Sequence, residues 1–106
     1  MVELYSEKLM NIIANESLED KLVGMFRKYG VSGYTILRAR GEGASGNSSD
    51  LGGFDSNIFI KVIIPESKLD TILQSVECKL RKGYRLTVYI SDVQVISPEK
   101  FEKSIR

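Results

Sequence analysis

The sequence predicts an α+β domain: a four-stranded antiparallel sheet covered on one face by two helices. Three observations carry that prediction. Two segments repeat apolar residues at spacings of three and four, the period of a helix buried on one side, and four others run apolar or alternate, as strands do. Their order is strand, helix, strand, strand, helix, strand. Each helix also carries a single apolar stripe, which has to be buried against the sheet.

A chain of 106 residues is expected to form one domain, residues 1–106, with a core large enough to need no staples. The first strand is expected at Leu9-Met10-Asn11-Ile12-Ile13-Ala14, an apolar run closed by Asn15-Glu16-Ser17. Ser17-Leu18-Glu19-Asp20 then reads as a helix N-cap with acids in the first turn. Leu18, Leu22, Met25, Phe26 and Tyr29 form the stripe of that helix, and Gly30 stops it. From Gly33 to Arg40 the chain alternates, with Thr35, Leu37 and Ala39 on one face and Tyr34, Ile36, Arg38 and Arg40 on the other.

The third strand is Asn57 to Ile64, with Ile58, Ile60, Val62 and Ile64 sharing a face and Pro65 ending it. It pairs with the second as an extended hairpin, since antiparallel neighbours need no crossover. Ser67-Lys68-Leu69-Asp70 repeats the capping pattern, and Leu69, Ile72, Leu73, Val76 and Leu80 form the second stripe up to Gly83. Cys78 lies off that stripe and reads as a surface residue. The last strand, Arg85 to Ile96, alternates through Leu86, Val88 and Ile90, then shifts parity to Val93 and Val95, which suggests a bulge near Ser91-Asp92.

This is the βαββαβ, ferredoxin-like arrangement. One sheet face then has no helix on it. Tyr34, Ile36, Phe59 or Ile60, Val88 and Tyr89 are read as its apolar residues, and a face of that character predicts a closed homo-oligomer with sheets turned inward.

Between the second and third strands lies Gly41 to Asn57, five of whose seventeen residues are glycine. A loop of this length in a compact domain is functional or disordered, and residues 41–57 read as a mobile arm on an ordered base. At that base, Arg40-Gly41-Glu42-Gly43-Ala44-Ser45-Gly46 lets successive backbone N–H groups turn toward one point, an anion nest, although such glycines also serve as plain turn chemistry.

Composition excludes several functions. Lysine plus arginine number 15 and aspartate plus glutamate 14, so no global field favours nucleic acid. With one cysteine and no histidine, neither a disulfide framework, the usual zinc sets, nor a histidine-dependent nucleophile can be assembled within one chain. No apolar run approaches the ~20 residues that span a bilayer, and the start of the chain is no secretory leader, so a cytoplasmic location is expected.

The residues resemble the PII signal-transduction superfamily over nearly the whole chain, from Lys8 to Phe101. The most specific part is Gly33-Tyr34-Thr35-Ile36-Leu37-Arg38-Ala39-Arg40-Gly41-Glu42-Gly43, which looks like the PII second strand running from Gly-x-Thr to the Gly-x-Gly that opens the T-loop. The Asp55-Ser56-Asn57 return and the close from Tyr89 to Phe101 look most like the PII-like branch that includes proteins associated with bicarbonate uptake and carboxysomes. The resemblance implies a cytoplasmic homotrimer, not an enzyme, with an adenine nucleotide in each intersubunit cleft and a T-loop that docks on a partner such as a membrane transporter. Carried over by position, Gly33, Tyr34 and Thr35 lie against the base, Ile63 packs beside it, and the backbone of Gly41, Glu42 and Gly43 meets the phosphates. A nest that binds phosphate orders the loop and so shifts the population that a partner meets.

The sequence departs from the typical pattern in ways that bear on the effector. Ala44 and Ser45 stand where typical members carry a basic and an amide residue, and Ser97-Pro98-Glu99 replaces their arginines, with Lys100 the nearby cation. These departures favour AMP, ADP, cyclic AMP or another small anion such as bicarbonate over ATP with magnesium. Between the second helix and last strand the chain is cut down to Arg81-Lys82-Gly83-Tyr84-Arg85, whose Lys82 and Arg85 could meet phosphate or serve only the helix dipole. The loop has no tyrosine for uridylylation. Leu51 and Phe54, apolar on an arm, read as partner anchors or as residues that fold back on a neighbouring subunit.

Rival readings fare less well. An acylphosphatase needs an arginine in its phosphate loop, and Ala14-Asn15-Glu16-Ser17 has none; an RNA-binding sheet needs a basic, glycine and aromatic pattern absent here. The alternative kept is a nucleotide-independent PII-like or CutA-like trimer acting through loop contacts or metal response.

Overall fold

The computed structural model describes residues 2–31, 33–40 and 56–96. Strand β1 spans Tyr5–Asn15, a 3-10 turn Glu16–Leu18 leads into helix α1 (Glu19–Lys28), β2 covers Tyr34–Ala39, β3 Asn57–Ile64, α2 Glu66–Arg81 and β4 Leu86–Val95. The strands form one antiparallel sheet in the order β2-β3-β1-β4, the expected ferredoxin-like topology.

Register decides which side chains meet the helices. Ile36, Ile60, Ile12 and Val88 stand in one row across the sheet, and Tyr34, Val62, Met10 and Ile90 in another. All point to one face, because side chains two apart along a strand share a side. Leu22, Met25 and Phe26 of α1 and Ile72 and Val76 of α2 complete a single core with them. Ile12, Ile60, Ile64, Ile72 and Phe26 are fully buried. Burying each such side chain stabilises the fold by roughly 1.5–3 kcal/mol. Gly30 (φ 73°) and Gly83 (φ 98°) end the two helices in the left-handed region that glycine adopts without strain.

Five expectations are corrected. First, β1 extends back to Tyr5, because Tyr5 to Glu7 find ladder partners in Val93 to Val95. Second, neither serine caps its helix. The Asn15 side chain accepts from the Ser17 N–H at 2.8 Å, and α2 begins directly after Pro65 without a side-chain cap. Third, β4 has no bulge: its pairing with β1 runs unbroken from Leu86 to Val95. The parity shift marks a change of face. Beyond Ile90 the helix side carries Asp92, bound to Lys8, and Val93 and Val95 point the other way. Fourth, Tyr34, Ile36, Ile60 and Val88 belong to the helix-covered face. The opposite face is built from Leu37, Phe59, Ile63, Leu9, Ile13 and Tyr89, and of the residues expected there only Phe59 and Tyr89 remain. The expected loop also ends sooner, because Asn57 already pairs with Ala39.

At the end of the covered face, the Lys8 ammonium donates to the Asp92 carboxylate at 2.5 Å. That hydrogen bond raises the Lys8 pKa above the ordinary lysine value of 10.5. Because the folded value is the higher one, the pair's stabilisation is complete below the ordinary value and is lost as pH rises through the raised one.

Two outcomes follow from this packing. Ile60→Ala should cost about 2–5 kcal/mol in denaturant unfolding, the range for an isoleucine truncated inside a closed core; a cost under ~1 kcal/mol would mean that this face is not the core. Asp92→Asn should bring the Lys8 titration, followed by side-chain NMR, down toward 10.5. An unchanged Lys8 titration would show that Asp92 does not set it.

Candidate functional site

The site read from the sequence lies around the β2–β3 hairpin. The hairpin ladder runs from Tyr34 opposite Val62 to Ala39 opposite Asn57, and Arg40 follows β2. Gly41, Glu42, Gly43, Leu51 and Phe54 lie outside the described residues. The structure therefore defines the two roots of the connection and the strand leading to it.

Gly33, Tyr34 and Thr35 do not present themselves alike. Gly33 is exposed just before β2, the edge strand. Tyr34 turns to the helix side, where its ring stands 5.6 Å from the Phe26 ring, and it packs on the core. Thr35 is exposed on the other face, opposite Lys61. Ile63, half-buried, lies on that same face two residues beyond Lys61. Thr35, Ile63 and the adjoining Gly33 thus make a coherent surface, and Tyr34 anchors it.

Lys82 and Arg85 are elsewhere. Lys82 ends α2 and Arg85 precedes β4, both exposed. Leu86, next to Arg85, shares a row with Ala14, Ile58 and Arg38, so these cations are at the end of the sheet where the β2–β3 connection leaves. They are, however, on the opposite edge. Three strand spacings separate β4 from β2, about 14 Å. Among the described residues, one subunit does not bring Thr35 and Ile63 together with Lys82 and Arg85.

The structure adds residues that the sequence reading left unassigned. Lys61 is exposed on the open face between Thr35 and Asn11, its ammonium 5.4 Å from the centre of the Phe59 ring. Its signal was legible, since it interrupts a β-branched strand on the face away from the core. Asn11, in the middle strand of that face, is 3% exposed. Glu16 pairs with Arg38 at 3.0 Å, and its N–H donates to the Ser56 carbonyl at 2.8 Å; no sequence pattern links residues so far apart. A groove of about 430 Å³ lies between the end of α1 and the start of α2, lined among others by Arg27, Lys28, Ser67, Lys68 and Thr71. The Lys68 ammonium there donates to the Tyr29 carbonyl, closing the end of α1. This groove is in the helix layer, away from the surface of Thr35 and Ile63. No helix among the described residues is long and apolar enough to cross a membrane.

Comparison with known proteins adds to this geometry. The family model described as nitrogen regulatory protein P-II matches residues 7–100. Among solved structures, a protein from Thermus thermophilus described as PII-like signaling is 36% identical with a TM-score of 0.75, over 93% of this chain and 98% of that one. CPII from Thiomonas intermedia, bound to ADP and bicarbonate, is 26% identical with a TM-score of 0.83, over 95% and 99% of the two chains. The same protein bound to ADP, AMP and bicarbonate, described as a nitrogen regulatory PII-like protein, is 27% identical with a TM-score of 0.83, over 95% and 98%. No curated protein sequence matches.

The different facings of Tyr34 and Thr35 are open to test by denaturant unfolding. Tyr34→Ala should cost about 2–4 kcal/mol, because a half-buried ring and its contact with Phe26 are removed. Thr35→Ala should stay within about 0.5 kcal/mol of the parent, as an exposed substitution does. Equal losses would contradict the assignment of these neighbours to opposite faces.

Proposed function

From the premise that the chain belongs to the nitrogen regulatory protein P-II family, we propose that it is a PII-like signalling subunit that binds an adenine nucleotide in a cleft between subunits. The observation that carries this reading is the separation of its basic and strand-edge residues. Thr35 and Ile63 lie toward the β2 edge, whereas Lys82 and Arg85 lie at the β4 edge. A ligand touching both needs the β2 edge of one subunit beside the β4 edge of the next. Such a head-to-tail contact repeats around a ring, and a homotrimer fits the family.

In this reading Gly33 and Thr35 meet the nucleotide from the β2 edge, Tyr34 contributes backbone only, Ile63 packs on the base, and the backbone of Gly41, Glu42 and Gly43 receives phosphate. Lys82 and Arg85 of the neighbouring subunit supply positive charge, and Lys61 is a further cation on the Thr35 side. The ligands of the solved CPII structures, ADP, AMP and bicarbonate, support the choice of effector. The replacement of basic residues by Ala44, Ser45 and Ser97-Pro98-Glu99 favours AMP or ADP over ATP with magnesium. The role is regulatory and not enzymatic. Residues 41–57, with Leu51 and Phe54 as anchors, dock on a partner such as a membrane transporter, which brings a cytoplasmic protein to the membrane through that partner.

Isothermal titration with AMP, ADP, ATP and cyclic AMP, each with and without magnesium and bicarbonate, tests the reading. Saturable ADP or AMP binding near one ligand per subunit is expected, and Gly43→Asp should abolish it by placing a carboxylate against the phosphates. If nothing binds at about 1 mM, an affinity of only some 4 kcal/mol, the nucleotide reading fails and docking through the loop alone is favoured.

A further inference from the structure

Glu16, in the turn between β1 and α1, touches both ends of the connection that leaves β2 and returns to β3. Its carboxylate forms an ion pair with the Arg38 guanidinium at 3.0 Å, one residue before β2 ends. Its backbone N–H donates at 2.8 Å to the carbonyl of Ser56, the residue before β3 begins. Arg38 is also opposite Ile58 in the last rungs of the hairpin ladder. Three segments separate in sequence thus meet at one residue.

We propose that Glu16 is a positioning residue that clamps the two roots together and thereby raises the affinity of the nucleotide site; the affinity half rests on the function proposed above. The ion pair is exposed, with side chains 76% and 41% accessible for Arg38 and Glu16, so its own contribution is small. Its effect comes from acting with the backbone bond at the point where the ladder ends. A ligand that meets a connection with fixed roots loses less conformational freedom on binding than one that must order them. The turn itself is held independently, by the Asn15 side chain on the Ser17 N–H.

Glu16→Pro removes both contacts, and its ring carbon, standing where the amide hydrogen was, displaces the Ser56 carbonyl, while the turn's own backbone accepts proline. Asn15 is already extended (φ −69°, ψ 147°), as a residue before proline prefers, and Glu16 is the first residue of a helical turn, where proline is tolerated. Amide hydrogen exchange in Glu16→Pro should accelerate about tenfold at Ala39, Asn57 and Ile58, the combined size of one hydrogen bond and one exposed ion pair. Exchange at the Tyr34–Val62 end should not change. ADP affinity should fall about threefold on the scale of such a pair, and the charge-swapped Glu16→Arg/Arg38→Glu variant, which keeps the backbone bond, should bind like the parent. Unchanged exchange at the roots would overturn the clamp, and accelerated exchange with unchanged ADP affinity would overturn its effect on binding. A parent protein that does not bind ADP would remove the nucleotide reading, while the exchange comparison would still decide the clamp.

Discussion

The architecture depends on the one-sided burial of the two central strands. Strands β1 and β3 each contribute every second residue to the helix side: Met10, Ile12 and Ala14 from one, Ile58, Ile60, Val62 and Ile64 from the other, all nearly without solvent contact. A slip of one residue between them would turn that whole set to the opposite face. The register Ile12 to Ile60 is therefore fixed by the hydrophobic core and needs no turn chemistry to set it. The proposed site is placed relative to that register, including the end of the β2–β3 ladder and the facing of Thr35.

Because both helices use the same face, the other is left with a mixed surface. Leu37 and Tyr89 remain about half exposed there, at 48% and 46%, in a field that also holds Lys61 and Asn11. A purely apolar face would favour nonspecific association. A face with a polar row across it between apolar ones has one preferred way to meet a partner surface, since a misplaced contact would bury Lys61 without compensation. The same sheet puts its basic turn and its threonine strand on opposite edges. Under the proposed function, a ligand that touches both edges would sit where one subunit repeats beside the next.

Much of this was legible in the residues. Element order, the facing of β3, the α1 stripe, the α2 stripe as far as Val76 and the two glycine stops follow from periodicity and from φ preferences, which are local properties; Leu80, read as the end of the second stripe, is 44% exposed. Three readings fail where tertiary context decides the matter. Serine at a plausible capping position gives way to Asn15, two residues earlier, at the end of the strand. The apolar parity shift in β4 suggests a bulge, although it reflects a change of face in an unbroken strand, with Asp92 taking the helix side against Lys8. Tyr34 and Val88 read as open-face residues because an isolated strand does not say which of its faces meets a helix. In the site, the Gly33 to Gly43 stretch is singled out by its resemblance to the PII second strand, with Gly41 to Gly43 outside the described residues, and the Glu16 contacts have no sequence signal, since they join residues 22 and 40 positions apart.

A ligand site completed by a neighbouring subunit is tested most directly by subunit mixing. Thr35→Asp/Gly43→Asp and Lys82→Glu/Arg85→Glu chains would be prepared separately, unfolded together, refolded as a mixture, and assayed for ADP binding. Neither variant alone should bind. In a random mixture of equal parts, about a quarter of head-to-tail clefts combine an intact β2 edge with an intact β4 edge, so binding should return to about that fraction of the parent's capacity. No recovery from a mixture shown to contain mixed oligomers would contradict the account and place the whole site within one chain.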